Sequence, residues 1–214
     1  MRHFNQLTYQ GQKRRLYRLA LDVLKRYNMQ VNSLRMLQYE DNAVFRVNSR
    51  AGEAFILRIS SGEGYNLSEQ RSEVQWLLAL NRDTTLIVPQ PIPSIAGEYV
   101  VTIDHELIAE PRLCALFRFI PGKIPEGTLS PIELERFGEI TALLHEHSAH
   151  YRPAEKIIRP VWGWDRLFGE SSFFNTKYRS RLPSDEVRRL EQVGQIIETR
   201  LKDLNVSDYG LIRS

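Results

Sequence analysis

A single arginine interrupts the apolar run Ala54–Ser60 (AFILRIS), and this run constrains the fold more than any other stretch. Alternate side chains of a β-strand share a face, so Ile56 and Arg58 face one way and the apolar residues around them face the other. A charge placed among apolar residues needs a partner. The sequence therefore predicts a half-buried strand whose arginine meets an acid from another element.

The nearest candidate acid lies in the following segment, residues 66–80 (NLSEQRSEVQWLLAL). This segment predicts a helix, because one acid and three apolar residues recur at i, i+3, i+4 and i+7: Glu73, Trp76, Leu77 and Leu80. Glu73 is then on the packing face, where a pair with Arg58 would satisfy both charges. On the residues alone, such a pair is either structural or part of a site that grips nucleotide phosphates.

Composition predicts a folded, soluble and cytoplasmic protein with no membrane partner. The chain has 214 residues, of which 42% are hydrophobic, enough to bury a core. No apolar segment is long enough to span a bilayer, and the N-terminus lacks a signal-peptide core. The single cysteine, Cys114, excludes an internal disulfide and is expected to be a small buried apolar residue.

Basic residues cluster near the N-terminus, but they do not predict nucleic-acid binding. Residues 8–27 predict an amphipathic helix capped by Thr8, and the bases would decorate its solvated face. The formal net charge is only +3, with 29 bases against 26 acids. The cluster comprises Lys13, Arg14, Arg15, Arg18, Lys25 and Arg26.

The first half of the chain predicts an antiparallel sheet crossed by one helix. Two strand-like runs in residues 34–47 precede the strand with the arginine. Prolines force residues 88–93 to be extended, and Ala96-Gly97-Glu98 predicts a hairpin between Ile95 and residues 99–103. The next buried strand, residues 113–120, stops at Pro121-Gly122, the predicted boundary between two lobes.

Beyond that boundary the pattern is helical. Ser130-Pro131-Ile132-Glu133 combines a capping box with proline at the first helical position. The predicted inner face of this helix consists of Leu134, Phe137, Thr141 and Leu144. A second helix starts at Ser184, with an apolar side formed by Val187, Leu190, Ile197, Leu201 and Leu204.

Three other motifs predict structure rather than chemistry. GEG at residues 62–64 lacks the third glycine of a dinucleotide fingerprint and predicts a turn. Of His145, His147 and His150, only the last two could bind the same ion from one helix, so no metal site is expected. The tryptophans of PVWGWD, residues 160–165, are expected to pack against helices, with a substrate-pocket role as the alternative.

In their order, these pieces resemble the aminoglycoside phosphotransferase and choline/homoserine kinase superfamily, whose fold is similar to that of protein kinases. Seven motifs carry the resemblance: DNAVFRV (41–47), FILRI (55–59), Glu73 with Trp76-Leu77, VPQP (88–91), LFRFIPG (116–122), LLH (143–145) and YGLI (209–212). The resemblance implies an α+β, protein-kinase-like fold with an N-terminal antiparallel sheet lobe, one crossing helix and the start of a helical C-terminal lobe.

The resemblance also implies a domain division and a function. Residues 1–30 would form an N-terminal helix, residues 31–121 the nucleotide-binding lobe and residues 122–214 an incomplete helical lobe. The parent protein would be a small-molecule kinase that transfers the ATP γ-phosphate to a hydroxyl of a metabolite or an aminoglycoside-like substrate. ATP and Mg²⁺ are its implied cofactors.

Carried over by position, the resemblance makes Arg58 the cation that holds the nucleotide phosphates. Glu73 would orient this cation. Ile56 would touch the adenine from the sheet side, and Phe117 would line the back of the adenine pocket.

Backbone groups complete the implied nucleotide site. Those of Arg118 and Ile120 would form hydrogen bonds with the base, and the turn around Asp41 and Asn42 would cover the phosphates. That turn contains no glycine, so any phosphate cradle there relies on the backbone amides of ordinary residues.

In the family, the strand corresponding to YGLI leads into a catalytic loop similar to His-Gly-Asp, and here Arg213 and Ser214 occupy its first two positions. The catalytic aspartate would follow Ser214, and the Mg²⁺ ligands are expected to be absent from this chain. We therefore expect the chain alone to be inactive, with apolar surface exposed on the helices after Pro121. The alternatives are a non-catalytic ATP-binding pseudokinase, half of a split enzyme with a complementary C-terminal half, and a non-functional fragment.

Overall fold

A computed structural model describes residues 3–60, 66–123, 127–160, 164–170, 172, 174–175 and 179–204. They form two compact units. The first runs through Arg136 and takes in Pro153–Ile157, and the second holds Phe137–Arg152 and the described residues from Ile158 on. None of the described helices is both long and apolar enough to cross a membrane.

One antiparallel sheet of six strands dominates the first unit, as the sequence predicts. Its strand order is β1-β2-β3-β6-β4, and β5 also pairs with β6. The bounds are β1 (Val31–Tyr39), β2 (Asn42–Ser49), β3 (Ala54–Ser60), β4 (Pro91–Ile92), β5 (Val101–His105) and β6 (Ile108–Arg118).

Five α-helices are described: α1 (Tyr9–Leu24), α2 (Leu67–Asp83), α3 (Pro131–His150), α4 (Trp164–Phe168) and α5 (Ser184–Leu204). Two short 3₁₀ helices span Phe4–Gln6 and Arg179–Arg181. The predicted helices begin within a residue of the expected positions. Helix α1 ends at Leu24, before the predicted residue 27, and residues 25–28 form a turn and a bend.

The larger of the two buried clusters in the first unit lies between α1 and one face of the sheet. Leu19 and Val23 of α1 belong to the same buried cluster as Phe45 and Leu57, and all four are fully buried. Cys114 lies in this cluster as predicted, and burial raises the pKa of its thiol to about 12. Alternate residues of a strand point to opposite faces of a sheet. Arg58 of β3 therefore lies on the sheet face opposite to this cluster.

The predicted hairpin around Gly97 is wrong in its pairing. The turn exists, with Gly97 at φ +83° and the Ser94 N–H donating to Glu98 O at 2.8 Å. However, β5 pairs forward with β6. Proline has no N–H to donate to a strand ladder, so the proline-rich segment before the turn forms only the two-residue β4. Strand β6 also begins at Ile108, five residues before the predicted start.

The capping box of α3 is confirmed. Ser130 N donates to Glu133 Oε2 at 2.8 Å, and Glu133 N donates to Ser130 Oγ at 3.3 Å. The predicted inner faces of α3 and α5 are largely open in the described residues, with Leu134, Phe137 and Leu190 all exposed.

Loss of the α1 cap provides a local test of the fold. Thr8 Oγ accepts a hydrogen bond from Gly11 N at 3.3 Å. We expect Thr8→Ala to lower the free energy of unfolding by about 1 kcal/mol, because a helix N–H loses its acceptor. Urea denaturation followed by circular dichroism measures this. Thr8→Ser is the control and should stay near wild type, and an equal loss in both variants would contradict the cap.

Candidate functional site

Arg58 and Glu73 form the predicted ion pair. Arg58 Nη1 lies 2.7 Å from Glu73 Oε1, and Nη2 lies 2.9 Å from Oε2. Strand β3 supplies the arginine, and α2 supplies the glutamate. Asn66 Oδ1 caps the first turn of this helix by accepting from Ser68 N at 2.7 Å. A pair with two parallel hydrogen bonds fixes the plane of the guanidinium group as well as its position.

The pair lines a pocket of about 340 Å³ in the first unit. Its apolar walls include Ile56 and Phe117, which are directly paired between β3 and β6. The guanidinium carbon of Arg58 lies 5.2 Å from the centre of the Phe117 ring. The pocket therefore combines a cation held by an acid with apolar walls, and its volume is within the range of small-ligand sites.

The backbone N–H groups at the end of β6 and just after it differ in whether they already make hydrogen bonds. Arg118 N donates to Gln90 O at 2.9 Å, and Phe119 N donates to Ala54 O at 3.0 Å. These two N–H groups are therefore already engaged. In the described part of the chain, the N–H of Ile120 makes no hydrogen bond. The Ile120 N–H is therefore a backbone donor at the pocket that a ligand could use.

The structure brings six of the eight predicted residues into one pocket: Ile56, Arg58, Glu73, Phe117, Arg118 and Ile120. Asp41 and Asn42 do not line it. Asp41 is exposed in the turn between β1 and β2, and Asn42 begins β2 opposite Ser60. Their predicted role over the phosphates stays a prediction.

Four lining residues were not predicted from the sequence: Val44, Leu77, Pro89 and Phe119. Leu77 follows Glu73 by one helical turn, so the helical period could have identified it. Val44 is the cross-strand partner of Arg58 and therefore shares its face. This depends on the β2–β3 register, which no local pattern fixes. Pro89 and Phe119 reach the pocket through tertiary packing.

An exposed ion pair lies at the rim of the pocket. Arg118 Nη1 is 3.1 Å from Glu53 Oε1, and about half of each side chain is exposed. Solvent screens such a pair, so it contributes little to stability. The partly buried Arg58–Glu73 pair is therefore the principal electrostatic feature of the pocket.

No metal centre is found among the described residues, which contain no group of three or more His, Cys, Asp or Glu able to hold an ion. His147 stacks on Tyr151 at 5.3 Å, and His150 Nδ1 lies 2.9 Å from Glu146 O. The GEG turn, Trp162 and the segment from YGLI to Ser214 lie outside the described residues.

Comparison with known proteins gives a consistent result. Residues 38–209 match the model of the phosphotransferase enzyme family. A microcompartment-associated aminopropanol kinase is 31% identical, with a TM-score of 0.62, over 72% of this chain and 47% of that one. An amicoumacin kinase in complex with AMP-PNP and Ca²⁺ is 19% identical, with a TM-score of 0.71, over 94% of this chain and 58% of that one.

The coverage and the sequence identity of the two structural matches limit what they show about this chain. The chain spans about half the length of these two structures. At 19% identity the second likeness supports the kinase-like fold alone. No curated protein matches the chain.

Proposed function

We propose, from the premise that this chain belongs to the phosphotransferase enzyme family, that its first unit binds ATP. The observation that carries the proposal is the Arg58–Glu73 pair, held by two hydrogen bonds at a pocket with apolar walls. A guanidinium group is suited to phosphate oxygens, and apolar walls are suited to a purine. Both features therefore match the two ends of a nucleotide.

Each of the six pocket residues predicted from the sequence has a role in this proposal. Arg58 contacts the phosphates and Glu73 sets its orientation, so that little ordering is needed when ATP binds. Ile56 and Phe117 pack against the adenine. The Arg118 carbonyl accepts a hydrogen bond from the base, while the Ile120 N–H donates one.

The turn that carries Asp41 and Asn42 lies over the phosphates in this proposal. The family likeness supports that placement, since both residues belong to the DNAVFRV motif. Residues 1–30, 31–121 and 122–214 would serve as N-terminal helix, nucleotide-binding lobe and helical lobe.

Phosphoryl transfer is a proposal for the whole protein. We infer that it moves the ATP γ-phosphate to a hydroxyl of a small metabolite, supported by the aminopropanol kinase at 31% identity. Catalysis of this kind is mostly positioning and charge neutralisation. The described residues contain no group of three or more His, Cys, Asp or Glu that could hold Mg²⁺.

A thermal-shift measurement tests ATP binding. A ligand that binds only the folded state raises the melting temperature, so ATP should stabilise the wild-type chain. Ile56→Asp should abolish the shift, because it places a carboxylate in the adenine end of the pocket without entering the core.

Thr102→Asp is the matched control. It introduces the same charge at an exposed position of β5, and the shift should be retained. A folded wild-type protein with no ATP shift contradicts the proposal, and so does an equal shift in Ile56→Asp.

A further inference from the structure

Arg46 contacts a wall residue of the pocket from a neighbouring strand. It is the cross-strand partner of Ile56, so its side chain leaves β2 on the pocket side of the sheet. Its guanidinium carbon lies 4.3 Å from the centre of the Phe119 ring, which lines the pocket. Strand β3 separates β2 from β6, and neighbouring strands are about 4.8 Å apart. Arg46 therefore extends across β3 to stack on Phe119.

This stack is the principal specific contact of Arg46. Within the described residues, Arg46 forms no ion pair, and its buried Nε makes no hydrogen bond. Arg58 and Arg118, by contrast, are each held by a carboxylate. The backbone of Phe119 is fixed separately, through its N–H bond to Ala54 O. What remains free to vary is the direction of the Phe119 ring, and the planar guanidinium group constrains it.

We propose that Arg46 is a positioning residue for the nucleotide base. It holds the Phe119 ring as the outer wall of the pocket, and the purine packs against that wall. The inference rests on the proposed function and deepens it, because it assigns base recognition to a residue that does not itself line the pocket. It predicts that Arg46 affects the binding of a nucleotide but not the binding of a bare polyphosphate.

Calorimetric titration with ATP and with inorganic tripolyphosphate tests this. We expect Arg46→Met, which keeps the length of the side chain, to weaken ATP binding about 3- to 10-fold. Tripolyphosphate contacts only the Arg58 end, so its affinity should be unchanged. Arg46→Lys should restore part of the ATP affinity, since it restores the cation. Arg35→Met, at the exposed cross-strand neighbour of Arg46, is the control and should match wild type for both probes.

A double-mutant cycle tests whether Arg46 affects ATP binding through the Phe119 ring. Phe119→Leu should weaken ATP binding to a similar extent, and adding Arg46→Met should then cause no further loss. The inference is overturned if Arg46→Met binds ATP as wild type does, if tripolyphosphate loses affinity equally, or if the two losses add in full. Absence of ATP binding to the folded wild-type protein would overturn the proposed function itself, which separates the two failures.

Discussion

Replacing Arg58 with methionine is expected to weaken ATP binding about 10- to 150-fold. Methionine keeps most of the apolar stem, but it cannot donate to phosphate oxygens, and a hydrogen bond to a charged group is worth about 1.5–3 kcal/mol. Glu73→Gln should cause a smaller loss, because the cation remains but is less firmly oriented. Isothermal titration calorimetry measures both affinities.

Arg50→Met is the matched control for the Arg58 variant. It removes a guanidinium group from an exposed turn residue and should leave ATP affinity unchanged. If Arg58→Met and Arg50→Met bind ATP equally well, the pair has only a structural role. The Arg58→Met and Arg50→Met variants should both be melted without ligand, since loss of the Arg58–Glu73 ion pair also destabilises the fold.

Phe45→Ala is expected to lower the free energy of unfolding by about 3–5 kcal/mol. Phe45 is fully buried, and its ring meets that of Tyr17 edge-on at a centroid distance of 5.1 Å. Truncation removes apolar contacts and leaves a cavity between α1 and the sheet. Urea denaturation followed by circular dichroism measures the change.

The control for this core variant is Ile87→Ala. Ile87 is 84% exposed, so its truncation should change stability by less than about 0.5 kcal/mol. A Phe45→Ala variant that loses less than about 1 kcal/mol would contradict the placement of Phe45 in the core.

The Arg58–Glu73 pair could be predicted because its signals are local. A period of two residues fixes the face of Arg58, and a helical period fixes the face of Glu73 only fifteen residues later. Helix starts at Thr8 and Ser130 could likewise be predicted, because capping side chains lie next to the helices they begin. Each of these inferences needed no knowledge of which distant segments meet.

The features that could not be predicted from the sequence depend on contacts between segments that are far apart in the chain. The partner of β5 depends on competition between two neighbouring strands, and the prolines before Gly97 decide it by removing donors. Val44 enters the pocket through strand register, and Phe119 enters through the path of the chain after β6. The stack joins Arg46 of β2 to Phe119 in the segment after β6, so no pattern within a single segment indicates it.

Amide hydrogen exchange with and without AMP-PNP tests the central claim most directly. Nucleotide bound in the pocket should slow exchange at the Ile120 N–H, which would donate to the base, and should protect α2 around Glu73. Strand β5 is not part of the pocket and should exchange as before. Protection is expected to be concentrated at Ile120 and α2. No protection at Ile120 under saturating nucleotide, or protection spread evenly over the sheet, would contradict it.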